Sequence, residues 1–217
     1  MTSPTHTARA ILVALLLTSA GAMADLDSDI GQLQARWAEV NYELNGKTQL
    51  TAFEQLAEVA EQVTGRYPDR AEGWIWSGII KSTYAGARGG LGALSLAKAS
   101  KAPLEKALSL NDRALEGSAY TSLGTLYFNV PGWPVGFGDD DKAETLLTKA
   151  LAINPDGIDA NYFYGDFLLR EKRYNEAEQY LRKAQQAAPR PGRALADAGR
   201  QKEIAAALAK VTEMSAK

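Results

Sequence analysis

The chain repeats a pattern of small residues and proline at an interval of 34 residues. Two alanines and a proline recur at this interval, first as Ala143, Ala150 and Pro155 and then as Ala177, Ala184 and Pro189. Two antiparallel helices with their turns occupy about 34 residues. Alanine lets the two helices approach closely, and proline ends a helix because it cannot continue one. The interval therefore predicts an all-α stack of helix pairs.

Two further segments carry first-helix signatures. Residues 120–127 read Tyr-x-x-Leu-Gly-x-x-Tyr, and Gly165 stands at the equivalent small position of the last unit, where two helices must touch. Residues 158–189 follow the tetratricopeptide repeat along the whole unit, with Asn161 where a large aromatic is usual. The chain thus resembles tetratricopeptide-repeat proteins. The resemblance implies a tetratricopeptide-repeat helical solenoid with a C-terminal capping helix.

The repeat register divides the chain into segments. We expect a signal peptide at 1–24, an N-terminal helix pair at 25–70, three repeats at 71–189 and a capping helix at 190–217. Two intra-repeat loop insertions are predicted near 84–93 and 129–139. Insertions of this kind lie along one edge of a solenoid and often build its binding site.

Residues 1–24 have the features of a cleavable export signal. Arg9 precedes the apolar run 10–17, which is too short to span a bilayer, and 22–24 read Ala-Met-Ala, a small-residue cleavage site. A retained membrane anchor is the alternative. No cysteine follows the run, which argues against a lipoprotein. We therefore expect a periplasmic protein.

Composition argues against several function classes. The net charge is −2, so the sequence lacks the excess of positive charge that is typical of nucleic-acid-binding proteins. Cysteine is absent, and the only histidine, His6, lies in the predicted signal segment. Without His or Cys, the common catalytic triads and zinc sites cannot form. The sequence therefore predicts a non-enzymatic binding protein without metal or cofactor.

Certain first-helix positions of this fold face a concave groove, and the register assigns residues to it. The predicted groove and loop residues are Ile75, Trp76, Ile79, Thr121, Ser122, Thr125, Phe128, Asn129, Trp133, Phe137, Tyr162, Phe163, Asp166 and Arg170. Such aromatic and aliphatic linings with a few hydroxyls are typical of pockets for apolar ligands. Packing of the same aromatics against the insertions or the terminal helix is the alternative.

Three local patterns carry further expectations. The stretch 130–138 contains two prolines, Trp133 and Phe137, and is either a lid over the groove or a plug on the convex side. Residues 139–141 are three aspartates that would cap the next helix rather than bind calcium. Arg190, Arg193 and Arg200 are expected to form a solvated connection into the last helix, with docking of a partner or lipid head group as the alternative. Arg170 is the only basic residue that the register assigns to the groove.

The overall organisation also resembles the T components of tripartite (TRAP) transporters and the repeat proteins that accompany envelope lipid or sterol transport. This resemblance implies a periplasmic accessory that binds a solute-binding protein, an envelope transporter or a hydrophobic small molecule. We therefore expect the groove to hold a lipid-like molecule during envelope transport. The alternative is a protein–protein interaction scaffold without a small-molecule ligand, and a carboxylate-based enzyme ranks last.

Overall fold

The computed structural model describes residues 7–216, with side chains from residue 25 onward except at position 91. The described residues form nine α-helices and a short 3₁₀ turn at Ala114–Gly117. The helices are α1 (Thr7–Tyr42), α2 (Gly46–Arg66), α3 (Ala71–Arg88), α4 (Gly90–Leu110), α5 (Ser118–Asn129), α6 (Asp140–Ile153), α7 (Ile158–Arg170), α8 (Tyr174–Gln185) and α9 (Ala194–Ser215). Of the predicted signal segment, residues 1–6 lie outside the described part, and only the backbone of 7–24 is described.

Helices that follow each other in the chain pack as antiparallel pairs, which confirms the predicted all-α solenoid. The odd-numbered helices form the inner layer, in which α1 packs on α3, α3 on α5, α5 on α7 and α7 on α9. Helix α9 also packs on α1, so the inner layer is a closed ring of five helices. Helices α2, α4, α6 and α8 lie outside this ring, and each packs on the inner helix that precedes it and on the one that follows it.

Glycine lets the paired helices approach at the positions that the repeat signature predicts. A Cβ atom on Gly124 would lie 2.8 Å from Cγ of Leu147 on α6. A Cβ atom on Gly165 would lie 2.8 Å from Cγ of Leu181 on α8. Both distances are too short for a real contact, so only glycine permits this spacing without a shift of the facing leucine.

The contact between α1 and α9 changes the expected role of the last helix. The sequence predicts a cap on the open end of the stack, whereas α9 joins the last repeat to the first helix. A Cβ atom on Gly199 would lie 2.4 Å from the ring of Tyr42, so the tyrosine ring rests directly on the α9 backbone. Ala196 is buried in the same apolar cluster as Leu33 and Trp37 of α1. The ring is therefore closed by packed side chains.

The first predicted insertion is helical rather than a loop. Residues 84–93 contain the last turn of α3, a tight turn at Gly89 and Gly90, and the first turn of α4. Both glycines have a positive φ, 61° and 58°, a conformation that glycine adopts without steric cost. The additional residues therefore lengthen the two helices, because the alanine-rich sequence on either side of the turn favours helix.

The second predicted insertion is a loop over residues 130–139. The amide of Gly138 donates to the carbonyl of Pro131 at 2.9 Å, and the amide of Asp139 donates to the carbonyl of Tyr127 at 3.0 Å. The Asp139 carboxylate then accepts a hydrogen bond from the amide of Lys142 at 3.0 Å, which confirms the predicted cap of α6. These bonds fix the loop at both of its ends.

None of the helices described in residues 7–216 is both long enough and apolar enough to cross a membrane.

Candidate functional site

The ring of inner helices surrounds a cavity that opens to solvent, which we call the ring cavity. It has a smaller compartment of about 310 Å³ and a larger one of about 700 Å³. The two compartments share the wall residues Trp37, Ser82, Thr83, Thr125, Phe163 and Arg200. Every inner helix therefore contributes to this shared wall.

Aromatic residues of α1 and α3 form one wall of the smaller compartment. The rings of Trp37 and Trp76 meet edge to face, with centroids 5.9 Å apart. The indole N–H of Trp37 donates to the hydroxyl of Thr83 at 3.0 Å. That hydroxyl in turn donates to the carbonyl of Ile79 at 2.8 Å. This wall is therefore mainly aromatic, and the hydrogen bond to Thr83 fixes the orientation of the Trp37 ring.

An arginine–carboxylate network forms a second part of the wall. The guanidinium of Arg190 donates to Asp159 at 2.5 Å and to Asp197 at 2.7 Å. The guanidinium of Arg200 donates to the other oxygen of Asp159 at 2.8 Å and also contacts Glu203. Arg200 is 7% exposed, and its guanidinium stacks 4.5 Å from the ring centroid of Phe163. Asp159 therefore ties α7 to the segment that closes the ring.

The charge state of Asp159 follows from these two arginines. Burial alone would raise the pKa of this carboxyl, but the guanidiniums of Arg200 and Arg190 outweigh burial and lower the pKa to about 2. On Arg200, burial lowers the pKa and Asp159 raises it, with a net increase. The network is therefore ionised at neutral pH.

Arg193 also lines the smaller compartment but belongs to none of the ion pairs in the described part of the chain. Its Nε is buried and has no hydrogen-bond partner, and the same is true of the indole nitrogen of Trp76. The Arg193 guanidinium carbon lies 5.3 Å from the centroid of the Trp76 ring. Both donor atoms are therefore enclosed by neighbouring side chains, and the Arg193 guanidinium lies against the Trp76 ring.

The floor of the smaller compartment carries strained backbone. Leu115 and Glu116 have positive φ values of 46° and 57°. Such conformations in residues other than glycine are unfavourable and persist only where surrounding contacts impose them. The Glu116 carboxylate accepts a hydrogen bond from the side-chain amide of Asn154 at 2.7 Å, which holds the turn against the next repeat.

The two segments that exceed the standard repeat both contribute to the wall of the larger compartment. The lengthened ends of α3 and α4 contribute Ala85, Gly86, Gly90, Ala93, Leu94 and Ala97. The loop contributes Val130, Pro131 and Val135. Tyr162 and Phe163 of α7 complete the wall with rings 5.0 Å apart. This compartment is therefore lined mostly by apolar groups.

Eight of the residues assigned by register lie in the wall of the ring cavity. They are Trp76, Ile79, Thr121, Ser122, Thr125, Asn129, Tyr162 and Phe163. All belong to α3, α5 and α7, the three inner helices of the repeats.

Six of the assigned residues lie elsewhere. Ile75 is fully buried against Ala107 and Ala119, because it faces α4 and α5. Phe128 is buried in the core, with its ring 5.7 Å from that of Phe167. Trp133 is 89% exposed at the loop tip. The ring of Phe137 packs 5.4 Å from that of Tyr127. Arg170 is exposed and donates a hydrogen bond to the side chain of Asn129 at 3.2 Å. Asp166 lies outside both compartments.

The expectation that the groove lacks a basic cluster is wrong. Arg190, Arg193 and Arg200, predicted to be a solvated connection, line the smaller compartment because α9 turns back onto α1. Register also missed Trp37, since α1 carries no repeat signature. The only signal for this basic wall in the sequence is that three arginines lie close together around the start of α9. Within the described residues, no group of three acidic or histidine side chains could hold a metal ion.

Comparisons with known proteins agree with this architecture. The tetratricopeptide repeat family model matches residues 136–198. The structure is similar to that of TTC0263, a thermophilic TPR protein of Thermus thermophilus, with a TM-score of 0.54 and 19% identity, covering 74% of this chain and 89% of that one. MamA is similar at a TM-score of 0.45 and 20% identity, covering 78% and 92% respectively. A search of curated proteins found no match.

These similarities concern the fold, and repeat scaffolds of this kind are generally non-catalytic and use their concave surfaces to bind proteins. The chain therefore carries a tetratricopeptide repeat at residues 136–198 and folds as a tetratricopeptide-repeat solenoid.

Proposed function

We propose that this chain is a protein-interaction scaffold that holds a short segment of a partner protein in the ring cavity. The observation that carries the proposal is the cavity itself, which the five inner helices surround and whose wall combines aromatic rings with hydroxyl and guanidinium groups. A bound peptide needs both apolar contacts for its side chains and polar partners for its other groups. The ring cavity offers the two together.

The lining fits a segment that is part apolar and part polar. In the larger compartment, Leu94, Val130 and Tyr162 provide apolar area against which aliphatic or aromatic side chains can bury. In the smaller compartment, Ser82 and Ser122 provide hydroxyl groups for a peptide backbone. Neither Trp133 nor Phe137 fills the cavity, so the loop leaves this space to a ligand.

To test this proposal, peptides that bind the full chain are selected from a random-sequence library of peptides with free C termini. The cavity can be filled by mutation at Gly86, which lies in the wall of the larger compartment and whose Cβ would meet no atom within 4 Å. We expect Gly86→Leu to weaken binding of a selected peptide about tenfold or more, which corresponds to about 1.4 kcal/mol. Affinity is measured by isothermal titration calorimetry.

Gly31→Leu is the matched control, since Gly31 is an exposed helical glycine of α1 with open space around its Cβ and lies outside the ring cavity. It should bind the peptide as the parent chain does. Peptides that bind the Gly86→Leu variant with unchanged affinity, or a selection that yields no binder, would contradict the proposal.

A hydrophobic small molecule is the second candidate, in line with the predicted role in envelope transport. The larger compartment, at about 700 Å³, lies in the range of about 300–1,000 Å³ typical of small-molecule sites, and its wall is mostly apolar. Native mass spectrometry of the chain purified from its own cells would then show a reproducible bound mass that Gly86→Leu removes. Export to the periplasm and association with a transporter stay predictions, which fractionation of those cells would test.

A further inference from the structure

The loop between α5 and α6 carries an exposed apolar surface at residues 133–135, which we call the loop tip. Trp133 is 89% exposed and Val135 is 60% exposed, with the exposed Pro134 between them. Single exposed apolar side chains are common on protein surfaces, but adjacent ones form a patch that often marks an interaction site. The loop tip is therefore a candidate docking element.

Hydrogen bonds hold the loop tip in place from within the loop. The amides of Val135 and Gly136 both donate to the carbonyl of Gly132, at 3.2 and 3.0 Å. Behind the tip, the ring of Phe137 packs edge to face on that of Tyr127. A surface that is already ordered loses little conformational entropy when it binds, so the tip is suited to enter a preformed hollow.

The charges beside the loop tip are mainly negative. Residues 139–141 are exposed aspartates at the start of α6. Asp140 and Asp141 form none of the ion pairs in the described part of the chain. Lys101 and Lys142 also lie at the base of the loop, with their ammonium groups 5.0 and 4.4 Å from aromatic ring centroids. A surface that receives the tip should therefore combine an apolar hollow with positive charge.

The outer side of α1 and α2 offers such a surface. A depression of about 400 Å³, which we call the α1–α2 depression, has Leu44 and Ala52 as its apolar part and Arg36 and Lys47 as its charged part. None of the described residues that line it is acidic. Arg36 pairs with Glu39 at 2.6 Å, whereas Lys47 belongs to none of the ion pairs between described residues. Lys47 can therefore pair with a carboxylate from outside.

We propose that the loop tip of one copy of this chain docks into the α1–α2 depression of a second copy. The Trp133 ring enters the apolar hollow, and Asp140 and Asp141 approach Lys47. Tryptophans that fill a pocket carry much of the binding energy at protein interfaces. Trp133 is exposed in the single chain, so the tip does not reach the depression of its own copy.

This contact goes beyond the proposed function and does not depend on it, since neither Trp133 nor Lys47 lines the ring cavity. A loop tip in a hollow buries less area than the roughly 1,200 Å² of a stable interface. We therefore expect weak association that grows with protein concentration. The acidic residues beside the tip also disfavour an anionic membrane surface as its partner.

Sedimentation equilibrium of the full chain at concentrations up to about 1 mM measures the association. Trp133→Ala should weaken it about thirtyfold or more, as for other tryptophans that anchor an interface. Thr51→Trp should weaken it similarly, because Thr51 is exposed and lines the α1–α2 depression, so that a large side chain there occupies the hollow.

A mixture of these two variants tests the pairing directly. Trp133→Ala keeps the depression and Thr51→Trp keeps the loop tip, so the mixture should form a one-to-one complex although each variant alone stays monomeric. Lys47→Glu should weaken association of the otherwise unchanged chain about tenfold, because it brings like charges together. Adding Asp140→Lys and Asp141→Lys to that chain should restore the association.

Leu195→Ala is the matched control, since Leu195 is an exposed apolar residue of α9 that belongs to neither surface, and it should associate as the parent does. Trp133→Ala should also melt as the parent does, because its side chain is exposed. A parent chain that stays monomeric throughout, or association that persists unchanged in Trp133→Ala, would overturn the inference. So would a mixture that forms no complex, or a monomeric chain that binds phosphatidylcholine vesicles through Trp133. Peptide binding that depends on Gly86 tests the proposed function separately.

Discussion

Asp159→Asn is expected to lower the free energy of unfolding by about 2–4 kcal/mol, because the change leaves buried Arg200 and its neighbour Arg190 without their shared partner. This expected loss is smaller than the maximum of about 5 kcal/mol for breaking a buried ion pair, for two reasons. The Asp159 carboxylate is about a third exposed, and Asp197 and Glu203 still hold the two arginines. Urea unfolding at pH 7 measures the effect.

The effect of Asp159→Asn should depend on pH in a defined direction. The pKa of Asp159 is lowered from 3.8 to about 2 in the folded chain, with burial opposing and the two arginines favouring the ionised form. The ionised carboxylate therefore contributes its full stabilisation above about pH 4 and loses it as the pH falls towards 2. The difference between the parent and Asp159→Asn should shrink over this interval.

Asp156→Asn provides a matched control. Asp156 pairs with Lys183 at 3.0 Å, but its side chain is 86% exposed, so its removal should cost less than about 1 kcal/mol. Equal stability of the parent chain and Asp159→Asn at pH 7 would show that the arginine network does not hold the ring closed.

Phe167→Ala is expected to lower the free energy of unfolding by about 3–5 kcal/mol, as for other buried phenylalanines. Phe167 is 2% exposed, and its ring lies 5.7 Å from that of Phe128 on α5 and 6.2 Å from that of Tyr164 on α7. It thus fills the contact between two successive repeats. Urea unfolding followed by circular dichroism measures the loss.

Phe137→Ala is the control for Phe167→Ala, because Phe137 is half-buried and packs on Tyr127 from the loop. We expect this variant to lower the free energy of unfolding by about 1 kcal/mol or less, because a half-buried side chain contributes only part of the burial energy of a phenylalanine. Similar losses for the two variants would mean that the contact between α5 and α7 does not anchor the solenoid.

The repeat units were predictable from the sequence because their determinants are local. The small residues Gly124 and Gly165 and the alanines at the 34-residue interval specify where two consecutive helices touch, and the structure places Leu147 and Leu181 at those contacts. The aspartate cap of α6 was predictable for the same reason, since a carboxylate before a helix reaches amides only a few residues away.

The ring closure could not be predicted in this way. It depends on Tyr42 meeting Gly199, two residues far apart in the sequence that belong to helices without a repeat signature. Register alone therefore placed Arg193 in solvent and left Trp37 out of the cavity. The glycines of 84–93 suggested a loop, but only Gly89 and Gly90 adopt a positive φ within it, and the flanking residues continue as helix.

Amide hydrogen exchange of the full chain, with and without a selected peptide, tests most directly whether the ring cavity is the binding site. We expect the peptide to slow exchange in the cavity-facing parts of α3 and α5 and in residues 190–200, and to leave the outer helices α2, α6 and α8 unchanged. Protection confined to the outer helices, or to the exposed loop around Trp133, would contradict the account.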